Sequence, residues 1–161
     1  MAVAEIIGAA IGVLLLVVVA YILVGGTLSA AETVANAQKD ITLQNEASMG
    51  TLITITEKKI VGGRIIFNVT NAGNEIISDY SHMDIFSYNN SPSLGYQHFR
   101  YDSENLGVPG TWTITYYGSD YVHPTQMDPG ENIGCEAVFS GINPVWLEVV
   151  TSNGVYNSAY I

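Results

Sequence analysis

The sequence predicts an α+β protein in which a long N-terminal hydrophobic helix is followed by an antiparallel β-sandwich head. Two observations support this fold class. An uncharged apolar run of 19 residues occupies positions 6–24, and after Gly50 the hydrophobic periodicity changes from helical to alternating. At 161 residues the chain is one domain with an appendage. We divide it into residues 1–49, the hydrophobic assembly helix, and residues 50–161, the β-sandwich outer domain.

The apolar run is long enough to cross a bilayer. As a helix it measures roughly 28 Å, about the thickness of the hydrocarbon core. A secretory signal peptide fits poorly, because the run is too long and the first basic residue is Lys39. An ordinary single-span anchor is the simpler alternative, although no basic residue lies within ~10 residues of either end of the run to fix its orientation.

The helical pattern continues beyond the apolar run. From Leu28 to Ile41, apolar residues recur at steps of three and four, which is typical of a narrow stripe on a polar helix. We therefore predict one helix over residues 2–47, with Gly25-Gly26 as a point of kinking and Gly50 as its terminator. A separate amphipathic helix packed on its own domain is the alternative for residues 27–48.

Small residues and one acid give this helix a candidate assembly face. Gly8 and Gly12 form a G-x-x-x-G step, which lets helix backbones approach closely in apolar surroundings. The Glu5 carboxylate is costly in lipid unless it is paired or hydrated. We expect either that it pairs with an amino terminus and sets the register of packed copies, or that it lies in headgroup water. The candidate assembly residues are Glu5, Gly8, Gly12, Leu15, Val18 and Tyr21.

The rest of the chain predicts eight short strands separated by turns. Gly62-Gly63 is a signal for a primed hairpin turn, and Asp128-Pro129-Gly130-Glu131 has the residues of a type I or II turn. About 110 residues are enough to bury a core. The predicted strands cover residues 51–57, 64–70, 82–88, 96–101, 111–117, 133–139, 145–151 and 155–160.

Charge and cysteine content exclude several classes of function. The 5 Lys and Arg residues against 15 Asp and Glu give a net charge of −10, which excludes a nucleic-acid binder and argues against docking on anionic lipid. Residues 65–161 hold ten acids and one base, a composition that suits a surface exposed to the medium. The single cysteine, Cys135, excludes a disulfide framework, and its alternation with Ile133 and Ala137 predicts a buried strand thiol rather than a nucleophile.

No constellation of residues predicts an enzyme, a cofactor or a metal site. The pairs His82/Asp84 and Asp120/His123 each offer an imidazole and a carboxylate, but neither spacing matches a zinc signature. The loop acids that are candidate calcium ligands are Asp102, Glu104 and Asp128. Two N-x-[ST] motifs make Asn68 and Asn89 candidate N-glycosylation sites if the chain is exported.

Three stretches carry a resemblance to a known family. Ala4-Glu5-Ile6-Ile7 leads into the apolar run, Leu28 to Gln44 extends the helix, and residues 50–55 enter the first hairpin. This arrangement resembles the archaeal flagellins (archaellins) of the type IV pilin-like superfamily. The resemblance implies a filament subunit made with a short basic signal, and an acid at the fifth mature position, which Glu5 matches. With no basic residue before the helix, Met1 is then either the processed first residue or an initiator.

The resemblance implies a structural subunit of an extracellular helical filament, assembled from copies of itself and inserted in the membrane beforehand. Its expected partners are a prepilin-type peptidase and an assembly platform, with no nucleic acid. A static adhesion pilin is one alternative. Another is a bitopic accessory or stator protein of the archaellum, whose sandwich follows one membrane helix. A third is an exported binding module or enzyme on a membrane anchor.

Overall fold

The computed structural model describes residues 2–91, 95–104, 107–118 and 122–161. Met1, the candidate processed terminus, lies outside these residues. So does Asp120 of the candidate Asp120/His123 pair. By packing, the chain divides into two compact units, residues 1–44 and residues 45–161. We call the second one the head unit; it includes the last turns of the helix.

One helix occupies the first third of the chain. Helix α1 covers Ala2–Gly50 and runs through Gly25-Gly26 without a break. Its described side chains from Val3 to Glu46 are exposed, which agrees with a segment whose apolar residues are placed all around the axis rather than on one face. The prediction of a long N-terminal apolar helix followed by a mostly antiparallel β-structure is confirmed.

Eight strands follow, close to the predicted positions. A short 3-10 helix at Tyr80–His82 occupies the start of the third predicted strand. The strands are β1 (Ile53–Val61), β2 (Arg64–Asn71), β3 (Asp84–Tyr88), β4 (Tyr96–Tyr101), β5 (Thr111–Tyr117), β6 (Asn132–Val138), β7 (Trp146–Val150) and β8 (Tyr156–Tyr160).

The strands form one sheet in the order β1-β2-β6-β5-β4-β3-β7-β8. All neighbouring pairs are antiparallel except β4 and β5, which meet in parallel through Arg100↔Thr111 and Tyr101↔Trp112. The edge strands β1 and β8 come together, since the Ile55 amide donates to the Asn157 side-chain oxygen at 3.3 Å. The sheet therefore curls almost into a barrel, and the sandwich-like head has one continuous sheet rather than two.

A single apolar core lies inside the curled sheet. It joins residues from both halves of the sheet, because alternate side chains of each strand face the same interior. Cys135 is buried there, as predicted, and burial raises the pKa of its thiol. The fully enclosed residues of the core include Phe67, Ile85, Phe99, Trp112, Met127, Leu147 and Val149.

Backbone conformation explains two turns of the sheet. Gly62 and Gly63 both have positive φ, 57° and 79°, as a primed hairpin turn requires. In the turn at 128–131, the Asp128 amide donates to the Glu131 carboxylate at 3.0 Å and the Glu131 amide donates to the Asp128 carbonyl at 3.0 Å. Both turn predictions are confirmed.

Candidate functional site: the apolar helix, its C-terminal end, and an exposed aromatic row

The N-terminal part of α1 is long and apolar enough to cross a membrane, with a mean hydropathy of 3.0 in its most apolar window. The candidate assembly residues all lie on it and are exposed. Space beside Gly8 and Gly12 is open, because an added Cβ would meet no atom within 4 Å at either position. The helix thus presents a surface available to lipid or to a second helix, and the assembly role of these six residues stays a prediction.

The C-terminal end of α1 is held by hydrogen bonds within the head unit. The last carbonyls of a helix have no intrahelical partner and need one elsewhere. The Asn74 amide donates to the Gly50 carbonyl at 2.7 Å, and the Thr51 hydroxyl donates to the Ala47 carbonyl at 2.8 Å. The Asn153 side chain donates to the Thr51 hydroxyl at 2.7 Å. These bonds fix the end of the helix to two different loops of the head unit.

The loop that caps Gly50 is itself held by one buried amide. The Asn71 side chain, 0% exposed, donates to the Glu75 carbonyl at 2.7 Å and to the Met127 carbonyl at 2.9 Å. Its oxygen accepts from the Gly73 amide at 3.0 Å. Gly73 is required here, because a Cβ would lie 2.4 Å from the Gly50 carbonyl oxygen. The order of the helix end therefore depends on Asn71.

A row of four aromatic side chains crosses the outer face of the head unit. Register aligns Tyr88 of β3 with Tyr96 of β4 on one side and with Trp146 of β7 on the other, and Trp146 with Tyr160 of β8. We call these four residues the aromatic row. Tyr96 and Tyr160 are 73% and 80% exposed. With strands about 4.8 Å apart, the row spans roughly 14 Å.

The rings of the row stand at angles to one another and leave hollows between them. The Tyr88 and Tyr96 ring centres are 4.9 Å apart, and the Tyr96 ring meets Trp146 edge-on at 6.3 Å. A cavity of 530 Å³ lies on one side, lined by the whole row together with Asn90 and Val145. The aromatic row is therefore a candidate interaction surface.

The three histidines each contact a carboxylate rather than assembling a metal site. Asp79 and His82 are 2.8 Å apart, Asp84 and His98 2.7 Å, and Asp128 and His123 2.9 Å. Hydrogen bonds from His82 and then Ser81 lower the pKa of Asp79. Within the described ranges no group of three or more His, Cys, Asp or Glu side chains is arranged to hold a metal ion. The sequence pair His82/Asp84 is thus divided between two separate contacts.

Both candidate glycosylation sites have buried side chains. Asn68, 7% exposed, donates to the Glu57 carboxylate at 2.8 Å. Asn89, 5% exposed, accepts from the Ser91 amide at 3.0 Å. Modification of either residue stays a prediction, and it would have to precede folding or open these contacts.

The sequence is matched by no protein-family model and by no curated protein. Among solved structures, the chain is similar to the archaellum periplasmic stator protein FlaG from Sulfolobus acidocaldarius, with a TM-score of 0.49 and 20% identity over 69% of this chain and 99% of that one. It is also similar to the periplasmic stator protein complex of FlaF and FlaG from the same organism, with a TM-score of 0.48 and 19% identity over 68% of this chain and 87% of that one.

The aromatic row was missed by sequence reasoning. Its members alternate with buried residues along each strand, as in Ile85-Phe86-Ser87-Tyr88, where Phe86 and Tyr88 are the less buried pair. That alternation is readable from the sequence and shows aromatic residues on the outer face. The alignment of four strands that are not consecutive in the chain is not readable from it.

Proposed function

We propose that the chain is a bitopic membrane protein whose head unit works outside the membrane as a binding module. The observation that supports this most strongly is the aromatic row, exposed on a domain that has its own core. Aromatic residues that are exposed together are characteristic of surfaces that bind a partner or ligand. No catalytic group is part of the proposal, and we infer a non-enzymatic role.

The setting that we propose is an archaellum-type machine, in which the chain is an accessory or stator protein. The two solved structures described above carry the words periplasmic stator protein in their names, and we extend that role to this chain as a proposal. A stator has to transmit force between the membrane and its partner. The ordered end of α1, in which the Gly50 carbonyl accepts from the Asn74 amide and the Ala47 carbonyl accepts from the Asn153 side chain, suits such a coupling. The partner would then be another component of the machine or of the cell surface around it rather than a homopolymer of this chain.

A filament subunit, the main sequence-based prediction, is the second candidate. One observation favours it: the open space beside Gly8 and Gly12 would admit a neighbouring helix at close range. Glu5 would then set the register between packed copies of the helix. A static pilin and a motility filament would both need close packing of neighbouring helices, so both would depend on Gly8 and Gly12.

Substitution of the two glycines separates the candidates. Gly8→Ile together with Gly12→Ile keeps the segment apolar but blocks close helix packing. The matched control is Ala10→Ile, because residue 10 lies about 160° around the helix from residue 8. On the proposal, all variants stay in the membrane fraction of the native cells in equal amount and resist extraction by high salt. Loss of the glycine variant alone from sheared surface filaments would contradict the proposal and support a filament subunit.

A further inference from the structure

Two hollows flank the contact between Tyr96 and Trp146 on the outer face of the head unit. The first is the 530 Å³ cavity described above, and the second measures 350 Å³ and is lined by Phe86, Tyr96, Trp146 and Glu148. Both therefore share the Tyr96 and Trp146 rings. We call the two hollows together the groove, and the volume of each lies within the range of small-molecule sites, about 300–1,000 Å³.

The side chains around the groove combine aromatic faces with uncharged donors and acceptors. Tyrosine hydroxyls and the indole of the aromatic row offer hydrogen bonds at the edges of apolar rings. The Asn90 amide lies at one end, and the Glu148 carboxylate lies in the second hollow. No Lys or Arg side chain is among the described residues that line either hollow. The groove therefore suits a ligand with both an apolar face and hydroxyl edges, and it lacks the cations that a phosphate or another anion would need.

The exposed area is too small for a stable protein partner on its own. Tyr96 and Tyr160 are the most exposed rings of the row, and together they offer roughly 300 Å², given that an aromatic side chain buries 150–250 Å². A standard protein interface takes about 800 Å² from each partner. A short linear chain of sugar rings covers the row without needing an interface of that area.

We propose that the aromatic row binds a neutral saccharide. The apolar C–H face of one pyranose ring packs on the Trp146 indole and that of a second ring packs on the Tyr96 ring, since these two aromatic rings are perpendicular. The sugar hydroxyls bond with Asn90 in the first hollow and with Glu148 in the second. The 14 Å length of the row accommodates two or three linked sugar units at roughly 5 Å each. This inference rests on the proposed function, because it names the ligand class of the binding surface on a head unit held outside the membrane.

The test uses the full chain in lauryldimethylamine oxide, a detergent without a sugar headgroup. The probes are glucose, mannose, galactose and N-acetylglucosamine, each as the monosaccharide and as a linear trimer, at up to about 10 mM. The protein has two tryptophans, and Trp112 is 1% exposed, so saccharide-dependent fluorescence reports on Trp146. We expect at least one trimer to change the fluorescence, and titration calorimetry then gives its affinity for each variant.

Three variants decide the outcome. Tyr96→Ala and Trp146→Ala should each weaken saccharide binding at least tenfold, while Tyr156→Ala should stay within twofold. Tyr156 is the matched control, because it is 67% exposed on the same sheet but faces Val150 rather than the row. Circular dichroism verifies that each variant is folded, and Tyr96→Ala, at a largely exposed position, keeps the test valid if Trp146→Ala unfolds.

Several results would overturn the saccharide proposal. One is the absence of binding by every probe at 10 mM, and another is binding that Tyr96→Ala leaves unchanged. A shift of the Trp146 fluorescence on addition of zwitterionic lipid vesicles would indicate that the row binds lipid instead. A dimer that Tyr96→Ala dissociates would indicate that the row binds a second copy of the chain. Whether the same full chain stays in the membrane fraction is measured separately, because that result tests the proposed function. A membrane-bound chain that binds no saccharide refutes only this inference, and a filament subunit that binds one refutes only the proposed function.

Discussion

Replacement of Asn71 should loosen the head unit and release the end of the helix. Its amide is fully buried and makes three hydrogen bonds, to the Glu75 carbonyl, to the Met127 carbonyl and from the Gly73 amide. The Asn74 amide that caps Gly50 belongs to the same turn. Asn71→Ala therefore removes a polar centre on which both the fold and the junction depend.

The size of the effect follows from counting these bonds. Each buried hydrogen bond contributes about 1 kcal/mol net, and a stranded acceptor costs about 1–3 kcal/mol more. The Met127 carbonyl keeps a donor, since the Ile77 amide bonds to it at 3.1 Å. We therefore count three lost bonds and two groups left without their partner, the Glu75 carbonyl and the Gly73 amide, and expect Asn71→Ala to lower the free energy of unfolding by about 5 kcal/mol. Asn71→Asp, of the same shape, should lose at least as much, because it keeps the bond from Gly73 but places a buried carboxylate opposite the Glu75 and Met127 carbonyls.

Urea unfolding followed by tryptophan fluorescence measures these changes. The control is Asn74→Ala, since the side chain of Asn74 is exposed and only its backbone bonds to Gly50; it should change stability by less than about 0.5 kcal/mol. A loss below about 1 kcal/mol for Asn71→Ala would refute the reasoning, as would an Asn71→Asp variant as stable as the wild type.

Three further predictions concern the head unit. Gly134→Ala should cost about 1–3 kcal/mol in urea unfolding, because the new methyl group would lie 2.0 Å from the Tyr116 ring; an unchanged midpoint would contradict this. Burial raises the pKa of the Cys135 thiol above its ordinary value, so the folded state keeps a proton that the unfolded state loses. Above about pH 9, stability should therefore fall by about 1.4 kcal/mol per pH unit more in the wild type than in Cys135→Ala, and parallel pH profiles would be the opposing result. A chain that begins at Asn45 should unfold at a higher urea concentration than one that begins at Thr51, because the shorter chain lacks the Ala47 and Gly50 carbonyls that accept hydrogen bonds from Asn153 and Asn74; equal midpoints would show that this end of the helix contributes no stability.

Much of the fold was predictable because its signals are local. The apolar run predicts α1 by length alone, and alternation between turn residues predicts eight strands, most of them within two residues of their observed ends. The first strand is the exception: it was predicted to end near residue 57 but runs to Val61. It continues past a bulge at Glu57, whose φ is 50°, and no residue type there announces a positive φ.

The arrangement of the strands was not predictable, because it depends on contacts between residues far apart in the chain. The parallel pairing of β4 with β5 and the meeting of β1 with β8 make one curled sheet of what sequence periodicity reads as a sandwich. The aromatic row depends on the same long-range register. The junction was hidden for another reason: Asn71 reads as an ordinary turn residue, and only its burial shows that it holds two loops together.

Shear fractionation of the native cells, with the protein quantified by mass spectrometry in each fraction, tests the central claim most directly. The account predicts that the chain stays with the membranes after surface filaments are removed, that detergent releases it, and that protease added to intact cells cleaves within residues 45–161. Recovery of the chain as the main protein of the sheared filaments would contradict the account and establish a filament subunit instead.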